Sequence, residues 1–196
     1  KEFGINDIVV VVGYNSKMVK EYVGKRAKFV DNLNYKTTNN LYSIWEARDS
    51  INDDFVCVYS DLLFHKEILR RCINSKNNVC LMVEKKTKKE TMRVKIEDDK
   101  ITQVNKIIPF EKADGNFIGM AKFSKNQKEL LFDEINALIQ MNNQHAYYTD
   151  AIEKLISNGE IINYAYTSDY PWVDIDTTDD LSEAKTIFKN IMGVTD

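Results

Sequence analysis

Apolar runs and their spacing divide the chain into alternating strands and helices. Ile8 to Val12 is a continuous apolar run ended by Gly13, the pattern of a strand buried on both faces of a parallel sheet. A helix follows over Ser16 to Val23 and a short strand over Ala27 to Val30. Beyond the polar stretch from Asp31 to Asn40, a second helix turns Leu41, Ile44 and Trp45 inward. Phe55 to Tyr59 predicts a buried strand leading into Ser60 and Asp61, and a helix-like run covers His65 to Cys72. Val79 to Val83 is another buried strand, while Met92 to Ile96 and Ile101 to Ile107 flank Asp98 and Asp99 as a hairpin. Phe117 to Phe123 is a strand. Ser124 with Gln127 opens a helix whose Leu130, Leu131, Ile135, Leu138 and Ile139 share one face, and Asp150 with Glu153 opens the next. Ile161 to Tyr166 and Trp172 to Ile175 read as strands, and a helix from Thr178 to about Ile191 closes the chain. With no linker, repeat or low-complexity tract, the pattern predicts one α/β layer domain over residues 1–196.

Two acidic stretches interrupt this pattern. Asp61 falls at the carboxyl end of a predicted strand, the edge where ligands sit in open α/β sheets and where a carboxylate can hold a cation against a phosphate; its alternative role is to cap the helix that follows. In Trp172 Val173 Asp174 Ile175 Asp176, alternation puts Val173 and Ile175 on one face and both carboxylates on the other. Converging like charges call for a cation, although a solvated edge strand gives the same pattern. Thr177 and Asp180 have the spacing of a helix start, which leaves Asp174 and Asp176 to be explained.

Composition narrows what such carboxylates could serve. The 196 residues are 43% hydrophobic, enough for one real core, and a net charge of -3 without a basic block argues against a nucleic-acid surface. Cys57, Cys72 and Cys80 show no metal-type spacing, and two of them sit in apolar runs, as expected of a reduced, cytoplasmic protein. No apolar run has the length of a membrane span, and no signal peptide is expected. His65 and His145 have no partner pattern and read as surface or capping residues. Lys1 to Ile5 reads as the end of a helix with Gly4 as its left-handed residue, so further residues are expected upstream.

With both acidic stretches placed, the chain resembles the nucleotidyltransferases of the sugar-nucleotide and phosphocholine cytidylyltransferase superfamily. The likeness runs from Gly4 to Tyr14, through Thr38 Asn39 Asn40 Leu41 Tyr42 Ser43 and Ser60 Asp61, to Trp172 Val173 Asp174 Ile175 Asp176 Thr177. It implies a Rossmann-like mixed sheet, mostly parallel, flanked by helices and carrying a small β-hairpin insertion. It also implies Mg²⁺ held by Asp61, Asp174 and Asp176, with Thr38, Asn39, Asn40 and Ser60 on the nucleotide side. Family members commonly carry Glu where this chain has Asp174. The family begins with a strand and a glycine-rich loop that cradles the triphosphate; this chain shows neither. The domain is therefore expected to be incomplete at its N-terminus and inactive as it stands.

The reaction implied is Mg²⁺-dependent transfer of a nucleotidyl group, CMP from CTP, to a small phosphorylated or phosphonate acceptor with release of pyrophosphate. Such an acceptor is already ionised near neutral pH and needs no general base. Lys106, after the hairpin, is a candidate phosphate contact. Tyr147, Tyr148 and Trp172 are candidates for a cationic acceptor head, whereas Tyr164 and Tyr166 alternate within a strand and are read as core. The alternatives are a sugar-1-phosphate nucleotidyltransferase and a non-catalytic nucleotide-binding module; the pattern is silent on oligomeric state.

Overall fold

A computed structural model describes residues 2–86 and 91–192; Lys1, read above as part of a helix end, lies outside them. The elements in chain order are β1 (Val9–Val12), α1 (Ser16–Val23), β2 (Lys28–Asp31), α2 (Asn40–Glu46), β3 (Phe55–Val58), β4 (Leu62–Phe64), α3 (Lys66–Asn74), β5 (Val79–Glu84), β6 (Arg93–Glu97), β7 (Lys100–Asn105), β8 (Gly115–Phe123), α4 (Lys125–Gln140), α5 (Tyr148–Ser157), β9 (Asn163–Tyr166), β10 (Trp172–Asp174) and α6 (Thr178–Met192). The chain forms two compact units, Lys1–Asp54 with Lys125–Gly159, and Phe55–Ser124 with Glu160–Asp196.

In the first unit β1 and β2 run parallel, from Val9 opposite Lys28 to Val12 opposite Asp31. Helices α2, α4 and α5 pack on one another through Leu41, Ile44, Leu131, Ile135, Ala151, Ile152 and Leu155, all buried. The apolar faces read from helical spacing are thus the ones removed from water. Helix α5 begins earlier than Asp150. The amide of Tyr147 donates to the Asp150 carboxylate at 2.9 Å, so Asp150 closes the first turn from inside the helix.

The second unit is built on β8, nine residues long and nearly all buried. β5 runs antiparallel along it, while β3 pairs with Met120–Phe123 and β6 with Gly115 and Asn116. β9 adds to β5 in parallel, and β6 and β7 form the expected hairpin. Asp98 and Asp99 both adopt positive φ, as a two-residue hairpin turn requires. The mixed α/β class agrees with the sequence, but among the described strands the expectation of mostly parallel pairing is met only at β1–β2 and β5–β9. β8 pairs antiparallel with each of its described neighbours, β3, β5 and β6. A strand absent from the sequence reading, β4, pairs antiparallel with β10 as a separate ribbon.

Candidate metal centre

Asp61 sits in the tight turn between β3 and β4, where the Leu62 amide donates to the Tyr59 carbonyl at 3.4 Å. Tyr59 leads into that turn and is seated by Gly119. Its amide donates to the Gly119 carbonyl at 2.9 Å, and its ring fills the space a Gly119 side chain would need, a Cβ there lying 2.4 Å from Tyr59 Cδ2. Gly119 also holds φ at +85°, which favours glycine on conformational grounds. Asp61 does not cap the following helix; His65 does, its Nδ1 accepting from the Glu67 amide at 3.2 Å.

The second acidic stretch is delivered by β10. Its register places Trp172 opposite Phe64, Val173 opposite Leu63 and Asp174 opposite Leu62. The ribbon is closed at both ends, by the His65 amide on the Pro171 carbonyl at 2.9 Å and by the Ile175 amide on the Asp61 carbonyl at 3.0 Å. Val173 is 1% exposed, so period-two alternation turns Trp172 and Asp174 to the opposite face. Thr177 and Asp180 begin α6 as their spacing predicts: the Asp180 carboxylate accepts from the Thr177 amide at 2.8 Å, and the Asp180 amide donates to the Thr177 hydroxyl at 3.2 Å.

One oxygen from each of Asp61, Asp174 and Asp176 lies within 4.8 Å of the others. Asp61 and Asp176 are exposed and Asp174 is half-buried, with its Oδ1 shielded from water and given no hydrogen-bond partner. Burial pushes the Asp174 carboxyl up to about 6; the charges of Asp61 and Asp176, a hydrogen bond with Asp61 and the charge of Asp180 add to the effect. Three converging carboxylates and one buried, unsatisfied oxygen form a donor set for a hard divalent cation such as Mg²⁺ or Mn²⁺. The residues present fit such an ion.

The other residues singled out by sequence are placed as follows. Ser60 is exposed beside Asp61. Thr38, Asn39 and Asn40 belong to the first unit and are tied into its framework. The Thr38 hydroxyl donates to the Asn34 carbonyl at 2.8 Å, Asn39 caps α2 by accepting from the Asn40 amide at 2.8 Å, and Asn40 Oδ1 accepts from the Tyr148 amide at 2.9 Å. Asn32, 3% exposed and overlooked in the polar stretch, fastens this loop through Nδ2 to the Ser43 hydroxyl at 3.2 Å. Lys106 is exposed after β7, and its carbonyl accepts from Arg93. Tyr147 is half-buried at the start of α5. Tyr148, at 1% exposure, is a core residue of that helix, and burial removes it as an acceptor contact. Trp172 donates its indole N–H to Glu84 at 3.2 Å. Tyr164 and Tyr166 are half-buried and meet edge to face at 5.1 Å. Glu84, unremarked in the sequence, is visible there only as the polar residue that ends an apolar run.

Comparison with known proteins gives the family and the fold. The family described as nucleotidyl transferase matches residues 2–190. The chain is 24% identical over 211 residues to the CTP:phosphoglutamine cytidylyltransferase of Campylobacter jejuni, across 92% of this chain and 81% of that one. Its fold is similar to that of the inositol-1-phosphate CTP transferase from T. maritima, with a TM-score of 0.81, 18% identity and coverage of 100% of this chain and 80% of that one. The CTP:phosphocholine cytidylyltransferase of Streptococcus pneumoniae is also similar in fold, with a TM-score of 0.76, 21% identity and coverage of 96% and 81%. The carboxylates of Asp61, Asp174 and Asp176 therefore belong to a nucleotidyltransferase, an enzyme of the nucleotidyl transferase family.

Proposed function

We propose that the protein transfers a cytidylyl group from CTP to a small phosphorylated acceptor, releasing pyrophosphate, with Mg²⁺ held by Asp61, Asp174 and Asp176. The observation that carries the metal assignment is the convergence of these carboxylates around the orphaned Asp174 Oδ1. The choice of CTP and of a phosphorylated acceptor is supported by the Campylobacter relative, which is named for both.

The acceptor phosphate is the nucleophile and is largely ionised near neutral pH, so the chain need not supply a base. When bound, the cation would offset charge on the triphosphate and so lower the cost of bringing two anions together. The chain's own part is positional. The Asp61–Ile175 bond holds the two acidic stretches at one place, and burial of Val173 fixes which face of β10 carries Asp174. Trp172, on that same face, and Tyr147 are the remaining candidates for a cationic acceptor head; Ser60, Thr38, Asn39 and Asn40 are proposed for the nucleotide and Lys106 for phosphate. A cytoplasmic setting is proposed because the cysteines Cys57, Cys72 and Cys80 are free.

The test is pyrophosphate release from CTP, UTP or dTTP, each paired with phosphocholine, phosphoethanolamine, an aminoalkyl phosphonate or a sugar 1-phosphate, with Mg²⁺ or with chelator. In the full-length protein, turnover confined to CTP, a phosphorylated amine and Mg²⁺ is expected. Turnover only with sugar 1-phosphates would replace this reading by the sugar-nucleotide one, and nucleotide binding with no turnover on any pair would make the chain a binding module.

A further inference from the structure

Glu84 is the last residue of β5, the strand lying between β8 and β9 in the sheet of the second unit. Its Oε2 accepts from the Thr167 hydroxyl at 2.7 Å and from the Trp172 indole N–H at 3.2 Å, while Oε1 accepts from the Lys86 amide at 3.0 Å. The first two donors stand on either side of a chain reversal. Thr167 follows β9, is 1% exposed, and donates its own amide to the Val83 carbonyl at 3.0 Å. Trp172 opens β10. Between them Ser168 and Asp169 have φ of 54° and 60°. With the Tyr170 amide donating to the Thr167 carbonyl at 3.4 Å, they make the same kind of tight two-residue turn as Asp98–Asp99.

The reversal matters because of what it launches. β10 is three residues long and pairs with β4 alone among the described strands, so its place is set by few backbone bonds. A slip of one residue would turn Asp174 to the buried face and Val173 outward. Trp172 shares the face of Asp174, and its hydrogen bond to Glu84 ties the ribbon to the sheet carrying β5 and β9. Burial acts to raise the Glu84 pKa, but hydrogen bonds from Lys86, Thr167 and Trp172 outweigh it and hold the carboxyl below its ordinary value. Glu84 is therefore an anion at neutral pH, and bonds to an ionised acceptor are the stronger kind.

We propose that Glu84 is the positioning residue of the metal centre: by clasping Thr167 and Trp172 across the Ser168–Asp169 reversal, it sets the register in which β10 brings Asp174 and Asp176 to Asp61. This rests on the reading of those three carboxylates as a divalent-cation site. The reach of Glu84 is indirect, because it touches no ligand; it acts through the start of the strand that carries two of them.

The experiment is Mn²⁺ binding, followed by titration calorimetry and by the paramagnetic resonance signal of unbound Mn²⁺, at a temperature well below the chelator-treated melting point of each variant. Wild type is expected to bind Mn²⁺ and Asp61→Asn to lose it; failure of wild type to bind would overturn the metal reading itself, and this proposal with it. Given binding, Glu84→Ala is expected to weaken Mn²⁺ affinity about 10-fold, at the low end for residues outside a ligand shell. Trp172→Phe, which keeps the apolar packing but removes one donor, should weaken it by about threefold, and it decides the matter should Glu84→Ala fail to fold. A purely structural role predicts a lower melting temperature with Mn²⁺ affinity unchanged. Affinities within about twofold of wild type in the variants that fold overturn the positioning role while leaving the metal reading intact.

Discussion

The backbone amide of Ile175 donates to the carbonyl of Asp61 at 3.0 Å, so the residue that follows Asp174 is hydrogen-bonded to the main chain of the carboxylate it converges with. Two stretches far apart in sequence are thereby held by main-chain geometry, and their side chains need only alternate correctly to converge. The cost of that convergence is electrostatic. Without a cation, three carboxylates repel, and one oxygen of Asp174 is buried without a partner.

Asp61→Asn therefore has opposite effects on activity and stability. In the full-length protein turnover is expected to fall by at least about 100-fold, beyond the loss typical of residues outside a ligand shell. In chelator the melting temperature should rise, because one repelling charge is gone. Steady-state pyrophosphate release and a melting curve in chelator check the two arms, and unchanged turnover would remove Asp61 from the mechanism.

Mg²⁺ should stabilise the folded protein by mass action. At a concentration 100 times its dissociation constant the gain is about 2.7 kcal/mol, provided the unfolded chain does not bind it. Asp174→Asn should abolish the Mg²⁺-dependent part of the melting temperature. An equal rise in wild type and variant would point to non-specific binding.

The clasp at Glu84 predicts a pH dependence of stability. Its folded pKa is held below the ordinary 4.5, so its contribution is complete above that value and is lost as pH falls through the folded value. The difference in urea midpoint between wild type and Glu84→Gln should be largest above the ordinary value of 4.5 and should close as pH falls through the lower folded value. A gap that widened in acid would contradict an ionised, hydrogen-bonded carboxylate.

Gly119 and Gly24 make a paired test of the Tyr59 seat. Both have positive φ, at 85° and 57°, but a Cβ at Gly24 meets nothing within 4 Å, whereas one at Gly119 runs into the Tyr59 ring. Gly24→Ala, at φ 57° and ψ -136°, should cost about 1–3 kcal/mol from backbone strain alone. Gly119→Ala should cost about 2 kcal/mol or more and should also weaken Mn²⁺ binding, since Tyr59 leads into Asp61. Denaturant unfolding of both variants, with Mn²⁺ titration, separates the two effects.

Much of this was legible in the sequence wherever the signal is local. Helix α1 has the bounds its spacing predicts, α6 starts at the Thr177–Asp180 box, and Asp98–Asp99 closes the hairpin. The alternation of Val173 against Asp174 is likewise a two-residue property that survives folding. What could not be read depends on remote partners. Leu62–Phe64 is too short to show a period, and becomes a strand only because Trp172–Asp174 lies beside it. The antiparallel setting of β8 is a matter of topology and leaves no mark on its own residues. Tyr148 looks like other tyrosines in the aromatic-rich region until α5 packs and covers it. Glu84 reveals its role only when Thr167 and Trp172 are brought to it from the far side of the sequence.

The ribbon has a consequence for the order in which the protein matures. β4 leaves the ribosome long before β10, and until residues 171–175 emerge the backbone groups of Leu62–Phe64 that β10 will satisfy have no strand to meet. A nascent chain in that interval carries an open, apolar strand edge, a template for pairing with the wrong segment or with another chain. The three-carboxylate cluster is accordingly among the last features to be assembled, and a chain stalled or cleaved before Pro171 would leave Asp61 without its two partner carboxylates and the Leu62–Phe64 edge open to wrong pairing.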